Sequence, residues 1–220
     1  MSSRLGKWRI FRRIVLEPEV VLTEVRTCLT HKHEYASQEY IMSEPSSFYA
    51  RVRLSPDAMQ RFLKAPIPPV SRFQDWDVIS SHVRSFLDEV RYPGLATNED
   101  WLKQLADRTE ASAGWTYDEA KQEFLCHALR LAESVVEYVE VLNVLRALSD
   151  FKDTPGDDYA VILPFFWLEG IDVACRIGRG SSSLQALAPD TAEFREFLAT
   201  AEKELRRLAF SDEEWLEGSI

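Results

Sequence analysis

Apolar residues alternate in twos near both ends of this chain and recur every three or four residues through its middle, and that change of period limits the fold more than any other feature. Phe48, Ala50, Val52 and Leu54 alternate with Tyr49, Arg51 and Arg53, the pattern of a strand with one charged face. Residues 39–42 precede it across the turn-like Ser43-Glu44-Pro45-Ser46, which predicts a first hairpin. Further upstream, 7–16 reads as a strand with Trp8, Ile10, Ile14 and Leu16 on one face and Arg12 intruding, and Pro18 opens a helix over 18–30. Near the other end, 159–168 and 171–177 are apolar, β-branched or aromatic runs around Glu169-Gly170, a second hairpin. Pro164 lacks the N–H a ladder needs, so its strand is expected at a sheet edge or a bulge.

The middle reads as helix. Ser55-Pro56-Asp57 supplies a capping hydroxyl, a proline where its missing N–H costs nothing, and a carboxylate against the helix dipole; a helix over 56–65 follows. Pro66-Ile67-Pro68-Pro69 stops it and makes 65–71 a stiff connector, the one internal boundary in a single domain spanning 1–220. Val78/Ile79, His82/Val83, Phe86/Leu87 and Val90 have helical spacing up to Tyr92-Pro93-Gly94. Asn98-Glu99-Asp100 caps a helix through Glu110 with Trp101, Leu102, Leu105 and Ala106 on its apolar side. Thr116-Tyr117-Asp118-Glu119 has capping-box form, and a seam of Tyr117, Ala120, Phe124, Ala128, Leu131, Val135, Tyr138, Leu142 and Leu145 predicts one long helix over 116–149. At about 50 Å it would exceed the roughly 45 Å diameter of a compact chain of this length, so it must bend, break or cross the whole molecule. Stretch 135–148 is apolar on more than one side, which makes it the central buried element or else the seam of a homodimer. Asp190 caps a helix carrying Phe194, Phe197/Leu198, Ala201, Leu205 and Leu208, and Ser211-Asp212-Glu213-Glu214 is a second capping box that docks Trp215 and Leu216. The whole reads as α+β: an antiparallel sheet built from N-terminal and C-terminal hairpins, packed against several helices including one long central helix.

With 45% hydrophobic and 28% charged residues the chain is neither disordered nor fibrous. No run approaches the roughly 18 apolar residues that a membrane helix needs, and charges fill 1–13 where a signal peptide has its apolar stretch, so a cytoplasmic location and no membrane partner are expected. Cys28, Cys126 and Cys175 form no C-x-x-C pair and read as free thiols. The net charge of −10 is unevenly spread: residues 1–72 carry 12 basic and 7 acidic side chains, residues 73–220 carry 14 and 29. Such a field attracts a basic partner at salt-dependent rates and repels phosphate backbones.

Motifs for chemistry are sparse. Cys28, His31 and His33 offer thiolate and imidazole, yet C-x2-H-x-H matches no compact zinc module, and neither metal nor cofactor is expected. Gly178-Arg179-Gly180-Ser181-Ser182-Ser183 lacks the Gly-Lys-Ser/Thr ending of a phosphate loop and the third glycine of a dinucleotide fingerprint; an exposed turn is the simpler reading. There is no G-x-S-x-G elbow. Cys126 and His127 are adjacent, so their side chains diverge, Cys126 toward the core and His127 toward the surface, while His82 falls on an apolar helix face. Arg4, Lys7, Arg9, Arg12 and Arg13 interleave with Trp8 and Phe11 as in strands that bind nucleic acid, but the −15 charge of the remainder opposes that use. Asp153, Asp157 and Asp158 lack the alternating acids of a calcium loop, and the Pro155-Gly156 turn should expose them as an acidic patch.

Residues Ser47-Phe48-Tyr49-Ala50-Arg51-Val52-Arg53-Leu54-Ser55-Pro56-Asp57-Ala58-Met59 run from a strand directly into a capped short helix. With the acidic, glycine-poor remainder and the aromatic Pro164-Phe165-Phe166-Trp167, the chain resembles bacterial immunity proteins that neutralise secreted toxins. The resemblance implies a non-catalytic inhibitor whose partner is a cognate basic toxin domain encoded beside it, and it carries over no functional residues. On exposure and charge, Asp153, Asp157, Asp158, Asp212, Glu213, Glu214 and Trp215 are the expected protein-binding residues, with no catalytic ones. The alternative is a small enzyme, a hydrolase or transferase, with a site assembled from sequence-distant residues.

Overall fold

The alternation that predicts a strand at 48–54 belongs to a strand in the interior of the sheet. The computed structural model describes residues 45–107, 112–132, 134–164, 172–185 and 189–209, all within one unit, residues 40–220. Six strands, β1 (Ser46–Arg53), β2 (Gly114–Asp118), β3 (Glu123–Ala132), β4 (Asp158–Pro164), β5 (Val173–Gly178) and β6 (Ser181–Gln185), form one sheet in the order β2-β3-β1-β4-β5-β6. Every neighbouring pair is antiparallel. The α+β class and the C-terminal hairpin, β4 with β5, are as expected. Among the described residues β1 pairs with β3 and β4; the strand expected over 39–42, like the elements expected over 7–16 and 18–30, lies outside the described residues.

Helices cover both faces. On one side Phe48, Ala50 and Val52 of β1 and Phe124, Cys126 and Ala128 of β3 share a core with α1 (Pro56–Lys64), α2 (Asn98–Ala106) and α3 (Val135–Ala147). On the other, Tyr49, Tyr159, Val161 and Leu163 meet Phe194, Phe197, Ala201 and Leu205 of α4 (Ala192–Ala209). Helix α1 begins as its sequence requires: Ser55 Oγ accepts from Ala58 N at 3.2 Å, with Pro56 at the first helical position. The 65–71 connector then stays inside the unit, Pro66 bridging Thr97 and Asn143 Nδ2 donating to Pro68 O at 2.8 Å.

Three expectations are corrected. Residues 116–149 are not one helix: 114–132 is the β2–β3 hairpin, and α3 occupies only 135–147. At Asp118 the capping chemistry serves the hairpin turn, its Oδ1 accepting from Ala120 N and Lys121 N. The helix has its own capping box at Ser134 and Glu137, and, as foreseen for 135–148, most of its surface is buried. Residues 78–90 hold no α-helix, only 3-10 turns at Trp76–Val78 and Val83–Ser85. There Ser80 and Ser85 bond local backbone instead, and His82 is exposed rather than set in a core. Pro164 sits on an interior strand, tolerated because it is the last residue of β4, opposite Ser46.

The sheet's far edge is closed by charge. Arg146 of α3 is only 1% exposed; its guanidinium carbon lies 4.1 Å from the Phe73 ring centroid and 4.8 Å from that of Trp76. Its Nη2 donates to Asp75 Oδ1 at 2.5 Å and its Nε to Ser182 Oγ at 3.2 Å. Asp75 Oδ2 in turn accepts the Leu184 amide of β6 at 2.7 Å. Among the described residues no helix is long and apolar enough to cross a membrane.

Candidate docking site

Strand alternation turns Arg51 and Arg53 toward the face that α4 covers, and the helix begins close enough to leave a cleft rather than a seal. The cleft, about 290 Å³, is lined by Arg51 and Arg53 of β1, Glu123 at the start of β3, Asp157, Asp158 and Tyr159 at the start of β4, and Glu193, Glu196 and Phe197 of α4. Five carboxylates thus face two guanidiniums.

Its floor is a buried ion network. Lys152, fully buried, donates through Nζ to Asp158 Oδ2, to Arg53 O at 3.2 Å and to Thr154 Oγ1 at 2.9 Å. Asp158, itself 6% exposed, also accepts Arg53 Nε at 2.7 Å and Arg53 N at 2.9 Å. Three donors therefore hold one carboxylate, which offsets the cost of burying it. Arg53 Nη2 donates as well to Asp157 O at 3.2 Å, close beneath Gly156, whose φ of +81° forms the turn. Asp157 pairs with Arg176 at 3.3 Å and Arg51 loosely with Glu123 at 3.9 Å. The exposed carboxylates of Glu193 and Glu196 take no hydrogen bond or ion pair from the described residues. Although acids are concentrated here, no group of three or more His, Cys, Asp or Glu among the described residues is placed to hold a metal ion.

The expected contact residues fall into different surroundings. Asp157 is exposed on the cleft rim. Asp153 is exposed but engaged, accepting the Ser55 amide at 2.9 Å and the Ser55 hydroxyl. Asp158 is not presented to a partner as the Pro-Gly turn led us to expect, because Lys152 and Arg53 draw it inward. Asp212, Glu213, Glu214 and Trp215 lie outside the described residues, as do Cys28, His31 and His33. Cys126 and His127 diverge as expected, though by strand alternation: the thiol is buried in the inner core, where desolvation raises its pKa well above the ordinary value. His127 is half-buried on the opposite face, and desolvation lowers its pKa. Gly178 ends β5, Arg179-Gly180 is the turn to β6, and 181–183 belongs to β6 rather than to a loop.

The Ser55 hydroxyl and amide hold the Asp153 carboxyl below the ordinary carboxylate range, the hydroxyl being the larger influence. A carboxyl whose folded pKa is depressed stabilises the fold fully above its unfolded pKa and ceases to do so as pH falls through the folded value. Urea midpoints of the wild type are therefore expected to fall more steeply than those of Asp153→Asn between roughly pH 5 and pH 3. Parallel profiles would contradict that role.

Sequence reasoning missed Arg51, Arg53, Glu123, Glu193, Glu196 and Phe197 as a group. The available signal was two arginines following Tyr49 on one side of a strand, with Glu193 and Glu196 close to Phe194 and Phe197 on an amphipathic helix. Compared with known proteins, the chain matches no family model, no curated protein and no solved structure.

Proposed function

We propose that this protein is a non-catalytic binding module that docks a basic protein on the acidic face around the α4 cleft, in the manner of the immunity proteins it resembles. One observation carries the reading: the cleft holds five carboxylates against two arginines, and both arginines are already set against carboxylates of the cleft itself. Asp157 on the rim is paired with Arg176, so Glu193 and Glu196 are the cleft carboxylates left to face a cation from outside. Such a field speeds encounter with a basic surface, while the aromatic and aliphatic groups near the contact supply most of the affinity. Under this reading the partner is a basic toxin domain and the chain works by covering its active cleft.

The test uses the product of the neighbouring gene, where the resemblance to immunity proteins places a basic toxin. Its association rate should fall by roughly an order of magnitude between low and high salt. A triple variant, Asp157→Asn with Glu193→Gln and Glu196→Gln, should bind more slowly and protect less well against the toxin's activity. Salt-insensitive association, or undiminished binding by the triple variant, would overturn the reading.

A further inference from the structure

The cleft already contains one guanidinium that the protein holds loosely. The Arg51 guanidinium carbon lies 5.7 Å from the centroid of the Phe197 ring, a distance at which the ring's negative face attracts a cation. Its Nε is 3.9 Å from Glu123 Oε2, beyond hydrogen-bond length. Arg53, two residues further on, is instead fixed by its bonds to Asp158 and to the Asp157 carbonyl. One arginine of the pair is pinned and the other is replaceable. Beside the replaceable one stand Glu193 and Glu196, three residues apart on one side of α4, with carboxylates that no described residue neutralises.

We infer that the cleft is an arginine-recognition pocket whose resident occupant is Arg51, and that an arginine side chain of the partner displaces it from Phe197 while pairing with Glu193 and Glu196. The inference rests on the docking reading above and names the chemical group recognised. Arginine suits the site better than lysine because its planar guanidinium stacks on a ring and presents paired donors to carboxylates, whereas an ammonium is a compact and strongly hydrated charge. The cleft volume of about 290 Å³ lies just below the roughly 300–1,000 Å³ typical of ligand pockets, which fits one side chain rather than a folded segment. Phe197 is itself buried, packed among Tyr49, Tyr159 and Phe194, with the Arg51 guanidinium beside its ring on the cleft side.

The probe is a capped peptide, acetyl-Gly-Gly-Arg-Gly-Gly-amide, titrated into the full chain at low salt against its lysine counterpart, with NMR signals of the Arg51 Nε–H and the Phe197 ring as readouts. The arginine peptide should shift both signals and bind more tightly than the lysine peptide. Glu193→Gln with Glu196→Gln, both exposed and harmless to the core, should weaken it about fivefold. Arg51→Gln should tighten it about threefold by vacating the ring face, whereas Arg84→Gln, which removes the same charge outside the cleft, should not. Equal affinity for the lysine peptide, silent Phe197 signals, or an Arg51→Gln variant that binds no more tightly than wild type or Arg84→Gln would overturn the inference. Should the basic partner protein bind while the arginine peptide fails to compete with it, the pocket assignment falls and the docking reading stands; should neither bind, both fall.

Discussion

Replacing Asp158 with alanine is expected to destabilise the protein by about 3–5 kcal/mol, because it strands a buried ammonium without its counter-ion. Lys152 has 0% side-chain exposure, so water cannot take over from the carboxylate. Its remaining acceptors, Arg53 O and Thr154 Oγ1, are neutral. Arg53 loses its partner too, but it is about half exposed and resolvates cheaply. The double variant Lys152→Met with Asp158→Leu should recover most of the loss, since replacing both partners of a buried pair by apolar groups of similar size is often neutral. Urea midpoints followed by circular dichroism decide the matter. A loss below about 1 kcal/mol for the single variant would show that the ammonium does not depend on this carboxylate.

Asp75→Ala should have the second largest effect, about 3 kcal/mol, at the β6 edge of the sheet. The carboxylate is 34% exposed, but the guanidinium it neutralises is only 1% exposed. The Phe73 and Trp76 faces and the Ser182 groups would still hold Arg146, which keeps the loss toward the lower end of what an unpaired buried charge costs. The same substitution frees the Leu184 amide. Hydrogen exchange at that amide should therefore accelerate beyond what the global loss explains. Arg146→Met should lie within about 1–2 kcal/mol of wild type, because it removes the charge together with the need to pair it and also relieves Nη1, which has no hydrogen-bond partner. An Arg146→Met variant less stable than Asp75→Ala would reverse this account.

Where local chemistry has a single outcome, the residues announced their structure. Ser55-Pro56-Asp57 can hardly do other than start a helix, and the runs in β4 and β5 pair as read. The misreading of 116–149 has a specific cause in β3. Phe124, Cys126 and Ala128 enter the inner core by strand alternation, but the next residue to do so is Leu131, three positions on. Between them Arg130 adopts a φ of +52°, and the register against β1 slips, Phe48 facing Ala128 while Ser46 faces Ala132. A bulge thus converts a period of two into a step of three that imitates a helix and joins smoothly onto the genuine period of α3. The cleft was illegible for another reason: its lining comes from β1, β3, β4 and α4, and only the pairing of strands far apart in the chain brings Arg51, Glu123, Asp158 and Glu196 together. Charge alone pointed to Asp158 as a contact and could not reveal that Lys152 would claim it.

The central position of β1 has a consequence for how the molecule is made. Ala50 must find Cys126 on one side and Ala160 on the other, partners that leave the ribosome long after it does. A nascent chain therefore carries its middle strand with both edges open until most of the polypeptide has been synthesised, a topology that folds slowly and leaves the emerging segment in need of shelter. Truncations ending before 158 are expected to yield insoluble product rather than a smaller folded protein.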